Sequence, residues 1–260
     1  MVSRAIERAM GFVRRQKHNY RVAITRSGAN TFLLNLTAQY DSIYAVALGA
    51  DSVGLGAISS IGNGVSALIS APAGWLVDRH GVKPFFLLGM GLWAGAALIY
   101  ALAPIWQVII AATILISVAM RLTGTGCSVI CADSVRNEDR ATAQNVCVTV
   151  ASSLSMIAPL VAAPLVTALG GMTATSIRPL YYIRFVGYGL VFLFVAAQLR
   201  EVRALRTSDA NSAIDFIGDF RQVLEAGGPL RRWLWVASLT WLPMAMTSAF
   251  LPLFAHQVKG

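Results

Sequence analysis

The chain has 260 residues, 56% of them hydrophobic and 13% charged, with a formal net charge of +9. Soluble domains carry about 25% charged residues, so half the usual charge is missing, and the mean hydropathy is +0.63. These values exclude an ordinary soluble domain and indicate a polytopic membrane protein; nucleic acid is not an expected partner, because Lys and Arg fall in short gaps between apolar runs and do not cluster on a soluble face.

Residues 1–22 form a basic, amphipathic opening segment. Val2, Ile6, Met10 and Val13 share one side of a helix crowded with Arg, the pattern of a helix lying in the membrane interface. It does not read as a signal peptide, since the basic stretch is long and no small-residue cleavage site follows a short apolar core. A helix needs about 20 residues to cross the hydrocarbon. Seven stretches qualify: 24–48, 53–77, 84–103, 105–130, 142–169, 179–199 and 232–254. The expected fold is therefore an all-α integral membrane protein. Its parts are a six-helix bundle over 23–199, a cytoplasmic central loop over 200–231 and a seventh transmembrane helix within 232–260.

The first span is unusually polar. Phe32, Leu36, Tyr40, Ile43 and Ala47 form an apolar stripe, while Asn30, Thr31, Asn35, Asp41 and Ser42 gather opposite. A carboxylate at mid-depth costs roughly 2.5–3.5 kcal/mol on insertion scales. Asp41 is thus either hydrated near the outer end or, the favoured alternative, lines a polar cavity. The second span carries Gly56, Ser59, Ser60, Asn63, Ser66, Ser70 and Gly74 at steps that allow close helix approach. Residues 74–84, GWLVDRHGVKP, then concentrate charge in a short turn, where Gly81 permits a sharp bend and Pro84 opens span three without wasting a donor.

In span four, Thr113, Ser117, Arg121, Gly124 and Ser128 make one polar helical stripe. Arg121 either snorkels to the interface or, the favoured alternative, faces an internal cavity or an ion-pair partner. Span five contains Asn145, Thr149, Ser152, Ser153 and Pro159, and span seven Pro243 and Pro252. In the central loop, Ser212 and Asp215 cap a second surface helix that Gly227-Gly228 ends. Cys127, Cys131 and Cys147 read as small buried residues, and His18, His80 and His256 as solvated boundary residues. No catalytic constellation, metal-ligand spacing or cofactor motif is present, so neither an enzyme nor a cofactor is expected.

Of the 21 Lys and Arg residues, 17 fall in inner segments or flank the inner span ends, Arg26 and Arg232 among the latter, while only Arg178 and Lys259 fall in outer segments and Arg121 and Arg184 within spans, when the N-terminus is placed in the cytoplasm. That asymmetry predicts a multi-pass plasma-membrane protein with a cytoplasmic N-terminus. Trp75, Trp106, Trp233 and Trp235 at span ends agree, because indole favours the headgroup region.

In this topology Gly74, Leu76, Asp78, Arg79, Gly81 and Lys83 occupy the cytoplasmic turn between spans two and three. There they resemble, position by position, the Gly-x-Leu-x-Asp-Arg-x-Gly-x-Lys/Arg signature of the major facilitator superfamily. Asp133 and Arg140 are similar to the acidic-x6-Arg pattern which that superfamily, notably its sugar porters, places in the four–five loop. Arg121 with Gly124 and Gly126 is similar to the motif of its proton-coupled exporters, with the glycines one residue early. SMIAPLVAA is similar to its span-five antiporter motif, with Ala158, Ala162 and Ala163 where glycines are usual. The resemblance implies two inverted three-helix repeats and a charged turn that latches the two six-helix halves together. It also implies transport of a small molecule by alternating access, driven by a proton gradient. Asp41 is then the candidate proton or cation site, with Asn35 nearby, and Arg121 its charge-balancing or substrate partner. Drugs, sugars and organic acids suit the cavity residues equally. Such proteins have twelve spans, so a truncated chain is expected, its C-terminal half missing. The alternatives are a complete seven-span protein, whether receptor-like or a regulatory half-transporter, and an intramembrane enzyme. A retinal pump needs a Lys in span seven, and 232–254 has none.

Overall fold

The computed structural model describes residue 13, residues 15–80 and 82–199, and positions 232–233, 235–241, 247 and 254; the side chains of 71, 75–80, 125–129 and 131–133 lie outside the description. The chain divides into two compact units, Met1–Ala204 and Leu205–Gly260. In the second, positions 232–233 and 235–241 are helical. The central loop and most of the seventh stretch lie outside the described residues.

The first unit is all-helical among the described residues. Its helices are α1 His18–Ala38, α2 Asp41–Ala47, α3 Ser52–His80, α4 Val82–Leu102, α5 Trp106–Ser134, α6 Arg140–Ala168 and α7 Ala174–Gln198, with a 3₁₀ turn at Asn137–Asp139 between α5 and α6. The expected first span is therefore two pieces, α1 and α2. At the break the Tyr40 amide donates to the Thr37 carbonyl at 2.7 Å, a tightened i→i−3 bond. Five helices, α3 to α7, are long and apolar enough to cross a membrane. At 21 residues α1 is long enough, but Arg21, Arg26, Asn30 and Asn35 make it too polar to meet that measure.

Local chemistry sets the boundaries. Pro84 falls in the first turn of α4, where its missing N–H removes no helical bond. The turn before α7 uses Gly170 and Gly171 at φ 107° and 88°, a region costly for other residues. Thr173 then caps α7, its hydroxyl accepting from the Ser176 amide at 3.3 Å. That cap starts the sixth span five residues earlier than the sequence suggested.

Helix pairing matches between α1–α4 and α5–α7. Helix α1 packs on α6 as α5 packs on α3, α4 packs on α7, and α1 also meets α5. Close approach at equivalent places depends on glycine: a Cβ on Gly62 of α3 would lie 2.7 Å from Thr113 Cγ2 of α5, and one on Gly28 of α1 would lie 2.6 Å from Leu154 Cδ1 of α6. The core is built around Phe86, Met90 and Trp93 of α4 and Tyr188, Val191 and Val195 of α7. By contrast Leu68 of α3 is 80% exposed, and Met156 and Leu160 of α6 are 75% and 73% exposed. Large side chains so uncovered on long helices need lipid or another helix as solvent. The protein is a multi-pass membrane protein.

Candidate functional site

The break between α1 and α2 puts Asp41 at the start of α2, among polar side chains of α1 and α7. Tyr181 Oη donates to Asp41 Oδ1 at 2.7 Å, and Arg184 Nη1 donates to Thr37 Oγ1 at 2.6 Å. Thr37 also hydrogen-bonds Asp41, so its hydroxyl links the cation to the carboxylate. Arg184 and Thr37 are completely buried. The remaining guanidinium atoms, Nε and Nη2, find no hydrogen-bond acceptor and are covered instead by the Trp93 and Tyr188 rings, with Cζ 5.6 and 5.5 Å from the ring centroids. A buried cation is tolerable when an anion balances it, and Asp41 is the acidic group that acts on Arg184.

Toward the C-terminal end of α4, tyrosines close this site. Tyr100 of α4 stacks on Tyr181 with centroids 4.8 Å apart, and Tyr44 of α2 tilts against Tyr181 at 5.0 Å. Tyr44 Oη donates to the Tyr100 carbonyl at 3.0 Å. Arg178 Nη2 donates to the Ala103 carbonyl at 2.8 Å and its Nε to Tyr44 Oη at 3.3 Å. Arg178 thus caps the end of α4 and pins α2 and α4 to α7. The stripe of Leu36, Tyr40 and Ile43 is buried, facing helices and not lipid.

The other polar positions lie apart from this cluster. Asn35 Nδ2 donates to the Thr31 carbonyl of its own helix at 2.8 Å. Arg121 is exposed where α5 meets α3, its Nε donating to Ser66 Oγ at 2.7 Å, one turn beyond the bond from Ser117 Oγ to the Gly62 carbonyl at 2.9 Å. In the charged turn, Asp78 and Arg79 belong to the last turn of α3, Gly74 to its body and Lys83 to the first turn of α4. The helices leave one residue between them, Gly81, which is outside the described residues, as are the Asp78 and Arg79 side chains. Asp133 is in the last turn of α5, its side chain undescribed, and the exposed Arg140 opens α6.

The family model of the Major Facilitator Superfamily matches residues 23–260. The chain belongs to the major facilitator superfamily. No match was found among curated protein sequences. Among solved structures, a crystal structure of a POT family transporter in complex with thioalcohol-conjugated peptide matches with a TM-score of 0.59 and 15% identity, over 90% of this chain and 48% of that one. At that identity the likeness shows the fold alone, and the chain spans about half the length of that transporter.

Within that superfamily fold, sequence reasoning singled out Asp41 and missed its surroundings. Arg184 was visible as a cation inside an apolar span, the same signal that drew attention to Arg121. Its pairing with Asp41, 143 positions earlier, depends on α7 packing beside α1 and α2. Arg26, read as a flanking cation, is 5% exposed inside α1 with its Cζ 4.4 Å from the Phe86 ring centroid.

Proposed function

We propose that the protein is a secondary active transporter that moves a small molecule by alternating access and couples that movement to protons through Asp41. The single observation that carries this reading is the Asp41–Thr37–Arg184 link, closed by Tyr181, at a break in the first membrane segment. A carboxylate held beside a buried guanidinium has two states of different local charge. Neutralising Asp41 removes the anion that balances Arg184, so the tie between α2 and α7 weakens on protonation. A helix that is already discontinuous there can bend without losing a full turn of hydrogen bonds. A conformational change is driven only by interactions that differ between states, and this pair supplies such a difference.

In this proposal Arg184 balances Asp41, while Arg121, on the α3–α5 flank with Ser66, meets the substrate. The exposed faces of α3 and α6 are where a second six-helix half docks, and the charged turn around Asp78 and Arg79 latches the halves. The positive-residue asymmetry supports a plasma-membrane location with a cytoplasmic N-terminus. The test is uptake into vesicles under an imposed pH gradient, using the chain joined to the second six-helix half that this proposal requires. Asp41→Asn is expected to abolish gradient-driven accumulation while leaving substrate counterflow intact. Equal gradient-driven accumulation by wild type and Asp41→Asn would remove Asp41 from coupling.

A further inference from the structure

A second polar site lies at the opposite end of α1, well separated in sequence from Asp41. A cleft of about 610 Å3 opens between the start of α1 and the α5–α6 connection, lined by Arg15, Lys17, Arg136, Asp139 and Ser134. Among the described lining residues three cations face one carboxylate. Its volume is that of a small-molecule site. Beneath it, Tyr20, Val135, Ala143 and Cys147 form a small apolar cluster, and Tyr20 Oη donates to the Ala143 carbonyl at 2.9 Å, fixing α1 against α6.

Two further observations point to an anion. Ser134 is 3% exposed, and its Oγ has no hydrogen-bond partner although it lines the cleft. A buried hydroxyl without a partner is rare and costly. Helices α1 and α6 both begin at the cleft, and neither N-cap, Lys17 or Asp139, makes a side-chain capping bond. An anion between the two N-termini resolves both together: it accepts from Ser134 and completes the caps.

We propose that this cleft is a binding site for a phosphate-bearing anion, filled in the membrane by the headgroup of an anionic lipid from the leaflet at this end of the bundle. The location fits, because the residues stand where α1, α5 and α6 leave the hydrocarbon and headgroup phosphates lie. Basic pockets between transmembrane helices take such headgroups. Asp139 on the rim disfavours a dense multiple anion and favours a single phosphodiester.

The test titrates the purified chain in neutral detergent with dioctanoyl phosphatidylglycerol, dioctanoyl phosphatidylcholine and inorganic phosphate, reading binding by thermophoresis. Saturable binding of phosphatidylglycerol in preference to phosphatidylcholine is expected. Ser134→Ala should weaken it roughly tenfold, as loss of a hydrogen bond to a charged group does. Each contact with Arg or Lys near an anionic surface is worth a factor of about five, so Arg15→Gln with Arg136→Gln should weaken binding about 25-fold. Arg15→Lys with Arg136→Lys should retain most of it, which separates charge loss from misfolding. Arg178→Gln removes one positive charge beside the end of α4 and should change binding less than about twofold. Inorganic phosphate separates the two sources of the ligand: competition at the lipid's own concentration assigns the site to a soluble phosphate, and no competition assigns it to the headgroup. Absence of saturable binding, or equal weakening by Arg178→Gln and the cleft variants, would overturn the proposal.

Discussion

Replacing Arg184 with Met tests whether Asp41 and Arg184 act as one unit. The substitution keeps volume and removes the charge. It deletes the 2.6 Å hydrogen bond to Thr37 and two ring contacts at 5.5–5.6 Å, and leaves Asp41 without its balancing cation. A hydrogen bond to a charged group contributes about 1.5–3 kcal/mol, and a desolvated cation–π contact about 1–2 kcal/mol. Breaking a buried charge pair from one side costs about 3–5 kcal/mol in total. Asp41→Asn keeps an oxygen to accept from Tyr181 but strands Arg184, and should cost about 2–4 kcal/mol on the same grounds. If the two residues balance each other, the double variant Asp41→Asn with Arg184→Met recovers about 2 kcal/mol of the summed loss. The assay is reversible unfolding in mixed micelles with increasing SDS, followed by tryptophan fluorescence. Losses that add to within about 0.5 kcal/mol would mean the residues are independent, and the coupling mechanism built on them would fail with them.

Gly62→Ala gains about 1 kcal/mol of helix propensity but drives a methyl to 2.7 Å from Thr113 Cγ2; overpacking of about 1–3 kcal/mol should win, and adding Thr113→Ala should restore stability in the same unfolding assay. Tyr20→Phe removes the donor to the buried Ala143 carbonyl and should cost about 1–3 kcal/mol, read in the same way, with no change in binding at the Asp41 end. Arg121→Gln should leave stability within about 0.5 kcal/mol, since the side chain is exposed, yet lower substrate affinity in the transport assay; unchanged affinity would remove Arg121 from the substrate site. When the chain is joined to a second six-helix half, Asp78→Asn should bias the protein toward inward-open, raising cysteine-labelling of the inner cavity, and should have little effect in the 260-residue chain alone; an equal change in both would mean the turn works without a second half.

Much of this protein follows from its one-dimensional pattern. Apolar runs of membrane length separated by basic gaps establish the helical spans, because every backbone group in lipid must be satisfied within its own helix. The charged turn of Gly74, Asp78, Arg79, Gly81 and Lys83 points to the superfamily for the same local reason: its spacing lies on contiguous residues. Asp41 was legible because a carboxylate among apolar residues is costly wherever it points. What surrounds Asp41 was not legible. Hydropathy treats Arg184 and Arg121 alike, as cations inside spans, but α7 carries Arg184 into the core against Thr37 and Trp93, whereas α5 leaves Arg121 exposed beside Ser66. The break at Gln39–Tyr40 and the cleft at Ser134 have no periodic signal either, since each arises where one helix meets others. Sequence specifies which residues are too polar for lipid; only helix packing decides which partner each one finds, because those partners lie on other helices far along the chain.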